Sequence, residues 1–143
     1  MDKEPMNWKR VIAGGLMAGL IINIGELLLN GVVLASEWEA FRQQLGYDGS
    51  FTTTQMTISV IITFLFGIAL IWLYAAIRPR FGPGPKTAVI AGAALWFVAY
   101  VLFGASLWAA DMFTTRLMVF SIIWGAVEAP VAALAGAWVY RED

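Results

Sequence analysis

Two glutamates stand where carboxylates are expensive. Glu26 and Glu128 each lie well inside a long apolar run, and each shares a helical face with small or polar residues. At 100° per residue, Gly15, Gly19, Asn23, Glu26 and Asn30 fall on one stripe of the first run, and Ser121, Gly125, Glu128, Ala132 and Gly136 fall on one stripe of the last. An acidic side chain at the centre of a bilayer costs about 2.5–3.5 kcal/mol on the insertion scale for Asp, so these stripes are expected to face protein rather than lipid. At 1.5 Å of rise per residue the two glutamates sit at depths that differ by about 3 Å, so their carboxyls can meet. Carboxyls in contact repel when both are charged, and one proton between them is the expected arrangement near neutral pH.

The chemistry this suggests is the binding of a proton or cation. Glu26 and Glu128 would supply the carboxyls, Asn23 and Asn30 would orient the first, and Pro130 would free a backbone carbonyl one turn earlier as a further ligand. The plainer alternative is that both glutamates are neutral, bonded to Asn23, Asn30 and backbone carbonyls, and serve only to fix helix register. An intramembrane enzyme is the third reading, with nothing to supply a nucleophile or metal. The chain has no cysteine, hence no disulfide, thiol nucleophile or thiolate metal site, and no histidine, hence neither the commonest general base nor the usual haem or zinc ligand. No catalytic residue, metal or cofactor is therefore expected. A net charge of −1, from nine basic and ten acidic residues, gives no footprint for nucleic acid.

The elements that must position these groups are set by composition. Of 143 residues, 60% are hydrophobic and 13% charged, against about half and about a quarter in soluble domains. Four runs are long enough to cross about 30 Å of hydrocarbon, at 11–35, 56–77, 88–110 and 117–140. They occupy most of the chain, so a single integral membrane domain over 1–143 is expected, built as an all-α four-transmembrane-helix bundle. Runs such as Val60-Ile-Ile-Thr-Phe-Leu-Phe66 do not alternate as barrel strands must. The first run is too long for the apolar region of a signal peptide, about 7–15 residues, and reads as a retained span.

Lys3, Lys9, Arg10, Arg78, Arg80, Lys86 and Arg141 fall on one side of this arrangement and only Arg42 and Arg116 on the other, which predicts that both termini are cytoplasmic. Phe81-Gly-Pro-Gly-Pro-Lys86 predicts a short cytoplasmic turn, and Ser36 to Phe51 the one long outer connection. In that connection Trp38, Phe41 and Leu45 recur at helical spacing, so a short interfacial helix ended by Gly46 is expected, with a lid over an outward-facing cavity as the sharper reading. Thr52-Thr-Thr-Gln55 reads as a capping box for the second span, and Asp111 or Thr114 as the cap of the fourth. Val11-Ile-Ala-Gly-Gly15 recurs as Val89-Ile-Ala-Gly-Ala93, and Phe66-Gly67 as Trp124-Gly125, a faint sign of two parallel hairpins.

Trp8, Trp38, Trp108, Trp138 and Tyr140 fall near the expected interfaces, where amphipathic rings settle. Trp72, Trp96, Tyr100 and Trp124 lie deeper. Beside a carboxylate they can line a cage for a lipophilic cation, and ordinary packing is the alternative.

In size, span number and a glutamate in the first span the chain resembles the small multidrug resistance exporters, which exchange protons for aromatic cations as dimers. The likeness is architectural: the chain is longer and carries the outer loop and a second glutamate. Gly31, Trp38, Leu45-Gly46 and the Gly125 to Trp138 helix resemble uncharacterised bacterial families of small four-helix membrane proteins, which bring no activity with them. The function expected is a small protein of the bacterial cytoplasmic (inner) membrane that binds or transports a proton or a cationic, lipophilic small molecule. It would lie in the lipid bilayer as a homo-oligomer or in a larger membrane complex. The alternative function is a non-catalytic accessory subunit.

Overall fold

A computed structural model describes residues 6–141, and among them the regular structure is helical throughout. Lys3, counted above for orientation, lies outside the described residues. The first span is α1, Trp8–Leu28, capped by the Asn7 side chain, which accepts from the Arg10 N–H. It runs on through a wider π-helical segment, Leu29–Val33, where the Leu34 N–H donates to the Leu29 carbonyl at 2.8 Å. The chain then bends at Leu34 into α2, Ala35–Gln44, and Gly46 adopts a φ of +79° just beyond it. A helix is thus present in the connection between the first two spans, and it begins at Ala35, the last residue expected for the first span.

The second span, α3, covers Thr53–Phe81, longer at both ends than 56–77. Its start is set by Thr52 and Gln55, whose side chains each accept from the other's backbone N–H. Its far end carries Pro79 inside the last turns and stops at Gly82, with φ +82°. Pro85 opens α4, Pro85–Trp96, and a second π-helical segment, Phe97–Leu102, leads into α5, Phe103–Ala109. The third span is therefore Pro85–Ala109. Of the two caps considered for the fourth span, α6, Thr115–Val139, Thr114 is the one used: it accepts from the Leu117 N–H, while Asp111 takes a left-handed turn position instead.

All four spans are long and apolar enough to cross a membrane, which makes this a small multi-pass membrane protein. Small residues set their contacts, as close backbone approach requires. α1 packs against α3 and α6, and α4 against α6 and α3. Gly67 of α3 sits on the α1 backbone at Gly15 and Gly19, Gly14 faces Gly136, and Gly92 lies against Ala129 and Pro130. Between them Val11, Ala18, Leu70, Ile71, Ala88, Ala91, Ala132 and Ala133 form the core. Only one half of α3 takes part, for residues 53–62 are exposed on every side. Ser59 and Thr63 in or beside that stretch satisfy their hydroxyls on carbonyls one turn back, a local solution that apolar surroundings demand.

Toward the α2 end, a second cluster of Leu29, Leu34 and Leu117 is packed by Trp38, Phe113 and Trp124. Trp38 meets Phe41 and Phe113 edge to face, and Glu37 pairs with Arg116 at 2.8 Å, tying α2 to the start of α6. The Ser36 hydroxyl and the backbone N–H of Glu37 itself hold that carboxyl below the usual carboxylate range, and Arg116 adds to the effect.

Candidate functional site

Beneath this roof the polar side chains of three spans and α2 join in one chain of hydrogen bonds. Trp38 Nε1 donates to Asn30 Oδ1 at 2.8 Å, and Asn30 Nδ2 donates to Glu26 Oε2. The Tyr100 hydroxyl lies 3.0 Å from Glu26 Oε1 and 2.8 Å from Glu128 Oε2. Trp124 Nε1 completes the series by donating to Glu128 Oε1 at 3.0 Å. Asn30 belongs to the first π-helical segment and Tyr100 to the second. Such segments add a residue to a turn and re-aim the side chains beyond it, and they recur at functional sites.

The two indoles fix the polarity of this chain. An indole nitrogen only donates, so Trp38 must face the amide oxygen of Asn30, which turns the amide nitrogen toward Glu26. Trp124 likewise must meet an acceptor on Glu128. One oxygen of each carboxyl is therefore held as an acceptor, which leaves the oxygens that face Tyr100 as the places for a proton. The phenol has one hydrogen for two carboxyl neighbours. It donates to one, and the second contact becomes a hydrogen bond only when the other carboxyl is protonated and donates to the phenol oxygen. The arrangement is fully satisfied with one carboxyl proton and one negative charge.

Glu128 is 7% exposed and is one of the residues lining a groove of about 530 Å³ between α1 and α6. That volume lies within the range of about 300–1,000 Å³ usual for small-molecule sites. Ile21, Ile24, Phe120, Ile123, Val127 and Val131 line it with Gly25 and Trp124, and Ile123 and Val127, 64% and 66% exposed, place its mouth on the apolar outer surface. Two glycines make the geometry possible. A methyl group at Gly25 would fall on the Glu128 carboxyl, and one at Gly125 on the Tyr100 ring.

No known protein family, characterised protein or solved structure matches the chain. The chemistry of the site is therefore argued from its own geometry.

Of the residues singled out from the sequence, Glu26, Glu128, Asn30, Tyr100 and Trp124 come together. Asn23 does not orient Glu26, because its amide donates to the Gly19 carbonyl one turn back at 2.9 Å. Trp72 is 45% exposed on the outer surface of α3, away from the groove lining. Trp96 spends its N–H on the Ile122 carbonyl at 2.8 Å and holds α4 to α6. Pro130 lies against Gly92, so its side of α6 forms the helix contact with α4. Trp38, singled out from the sequence only for its place near an interface, also forms the end of the network on the α2 side. Gly25 and the bridging role of Tyr100 were likewise not apparent: adjacent to Glu26, Gly25 lies outside the polar stripe, and its importance depends on a contact with another span.

Proposed function

We propose that the protein binds a lipophilic cation in exchange for the proton held by Glu26 and Glu128. The observation that carries this reading is the apolar groove between two spans that has Glu128 and Trp124 in its wall, with the Glu128 carboxyl bonded just behind it to Tyr100 and Trp124. Apolar walls select a hydrophobic body, a lone carboxylate selects one positive charge, and Phe120 and Trp124 add aromatic faces for that charge. A mouth on the outer apolar surface favours a ligand that partitions into the membrane. Asn30, Trp124 and Tyr100 give the buried charge the donors that lipid cannot. This is the expectation raised by the resemblance to small multidrug resistance exporters, reached from a different set of residues.

Adding lipophilic cations such as tetraphenylphosphonium to detergent-solubilised protein should release protons, close to one per bound cation. Direct measurement of pH change in weak buffer tests this. Binding without release, or neither across a broad panel, would count against proton exchange.

Under the same proposal the protein lies in the inner membrane of a bacterium, with both termini cytoplasmic and α2 at the outer interface, an orientation supported by the basic-residue asymmetry. A cysteine at Ser50 should react with an impermeant reagent in intact cells, and one at Lys86 should be protected. The reverse pattern would overturn the orientation. The exposed half of α3 favours a second reading, an accessory subunit or a homo-oligomer that docks there. Mass measurement of the complex in mild detergent separates these two.

A further inference from the structure

We propose that the two glutamates divide the work and that Tyr100 passes the proton between them. Glu128 receives the cation, and Glu26, the more exposed of the two, gives up the displaced proton. This rests on the exchange reading above and adds which carboxyl does what.

The asymmetry lies in the surroundings. Glu128 lines the groove together with Trp124, whereas Glu26 is set behind it and meets Asn30 and Tyr100. A cation entering the groove reaches Glu128 first and needs it ionised. The network provides this without a proton crossing lipid. Starting with the proton on Glu128, the Glu128 O–H bond breaks as its proton passes to the phenol oxygen, and the phenol O–H bond breaks as its own hydrogen passes to Glu26 Oε1. Tyr100 ends neutral as it began, Glu128 becomes a carboxylate accepting from the phenol, and Glu26 becomes the acid that donates to it until, with the cation seated beside Glu128, it loses that proton to solvent. Both arrangements use the same hydrogen bonds, with oxygens already 2.8 and 3.0 Å from the phenol. The neighbouring elements bring uncharged groups to the three: α3 sets the Phe66 ring against Tyr100 and α2 contributes Trp38, while the Glu37 carboxylate of α2 is paired with Arg116.

Glutamine substitutions separate the roles, because a side-chain amide reproduces either neutral acid. In E26Q the amide nitrogen donates to the phenol oxygen, its oxygen accepts from Asn30, and Tyr100 donates to Glu128 when that carboxyl is ionised. Full-length E26Q in detergent should therefore keep tetraphenylphosphonium binding within about threefold of native at the alkaline end, where Glu128 is ionised, and release roughly tenfold fewer protons per bound cation there. E128Q satisfies the same network with the charge on Glu26, so it should fold equally well and bind roughly tenfold or more weakly. Y100F removes the relay. Its cation binding should slow about tenfold at the acid end, where Glu128 must hand on its proton, and stay within about threefold of the native rate at the alkaline end, where Glu128 is already ionised.

Equal loss in E26Q and E128Q would overturn the division of labour, and a Y100F loss uniform in pH would reduce Tyr100 to a spacer. If the native protein binds no cation, the exchange reading falls, and infrared titration still judges the shared proton. A protonated-carboxyl band that vanishes in either single glutamine variant supports it, whereas half a band persisting in each overturns it.

Discussion

Gly67→Ala should destabilise the protein, although alanine is ordinarily the better helix former. In an exposed soluble helix the change would gain up to about 1 kcal/mol. Here the added methyl would meet the backbone of α1, at the Gly15 carbonyl and at the amide and Cα of Gly19. Backbone cannot rotate aside as a side chain can, so α1 and α3 must separate, and with them the contact on which Leu70 and Ile71 are buried. Overpacking of this kind costs about 1–3 kcal/mol and occasionally more. A fall in melting temperature of roughly 4–12 °C in detergent is expected, with loss of monodisperse protein on gel filtration. Gly104→Ala is the control, because a methyl there meets nothing within 4 Å. Equal melting temperatures for the two variants would show that α1 and α3 are not in the contact described.

What could be read from the sequence divides along physical lines. The four spans were legible because each is set by length and hydropathy within one stretch of chain, and the Thr52 cap because it is local as well. The stripes correctly put Glu26, Asn30 and Glu128 on inward faces. Asn23 lies on the same face, but the role expected for it fails, because it found a partner on its own helix and a helical projection cannot show that choice. The bridging role of Tyr100 and the bond from Trp38 to Asn30 were hidden for a different reason. Uniform 100° steps assume constant pitch, and both the Leu29–Val33 and Phe97–Leu102 segments break it just where the network is assembled. The bridge itself joins residues 74 and 28 positions apart, so only the packing of the spans reveals it.

Gly25→Ala should do the opposite of Gly67→Ala, leaving the fold and removing the site. Its added methyl would fall on Oε1 of Glu128 and close to Trp124 Nε1, which are the ends of side chains and not backbone. The carboxyl can swing away, so the helices need not part, and the melting temperature should change by no more than a few degrees. The cost falls on the hydrogen bonds: to clear the methyl, Glu128 must leave the 3.0 Å contact with Trp124 and with it the 2.8 Å contact with Tyr100. A displaced carboxyl can neither be held as an acceptor by the indole nor exchange a proton with Glu26 through the phenol. Proton release on addition of tetraphenylphosphonium should therefore fall roughly tenfold or more at matched cation concentration. The melting curve and the release assay, run on one preparation, make the result decisive. A variant that melts like the native protein and still releases its proton would mean that the Glu128 carboxyl does not rest against Gly25 when it works. One that unfolds would mean that this contact, like that of Gly67, holds the spans together.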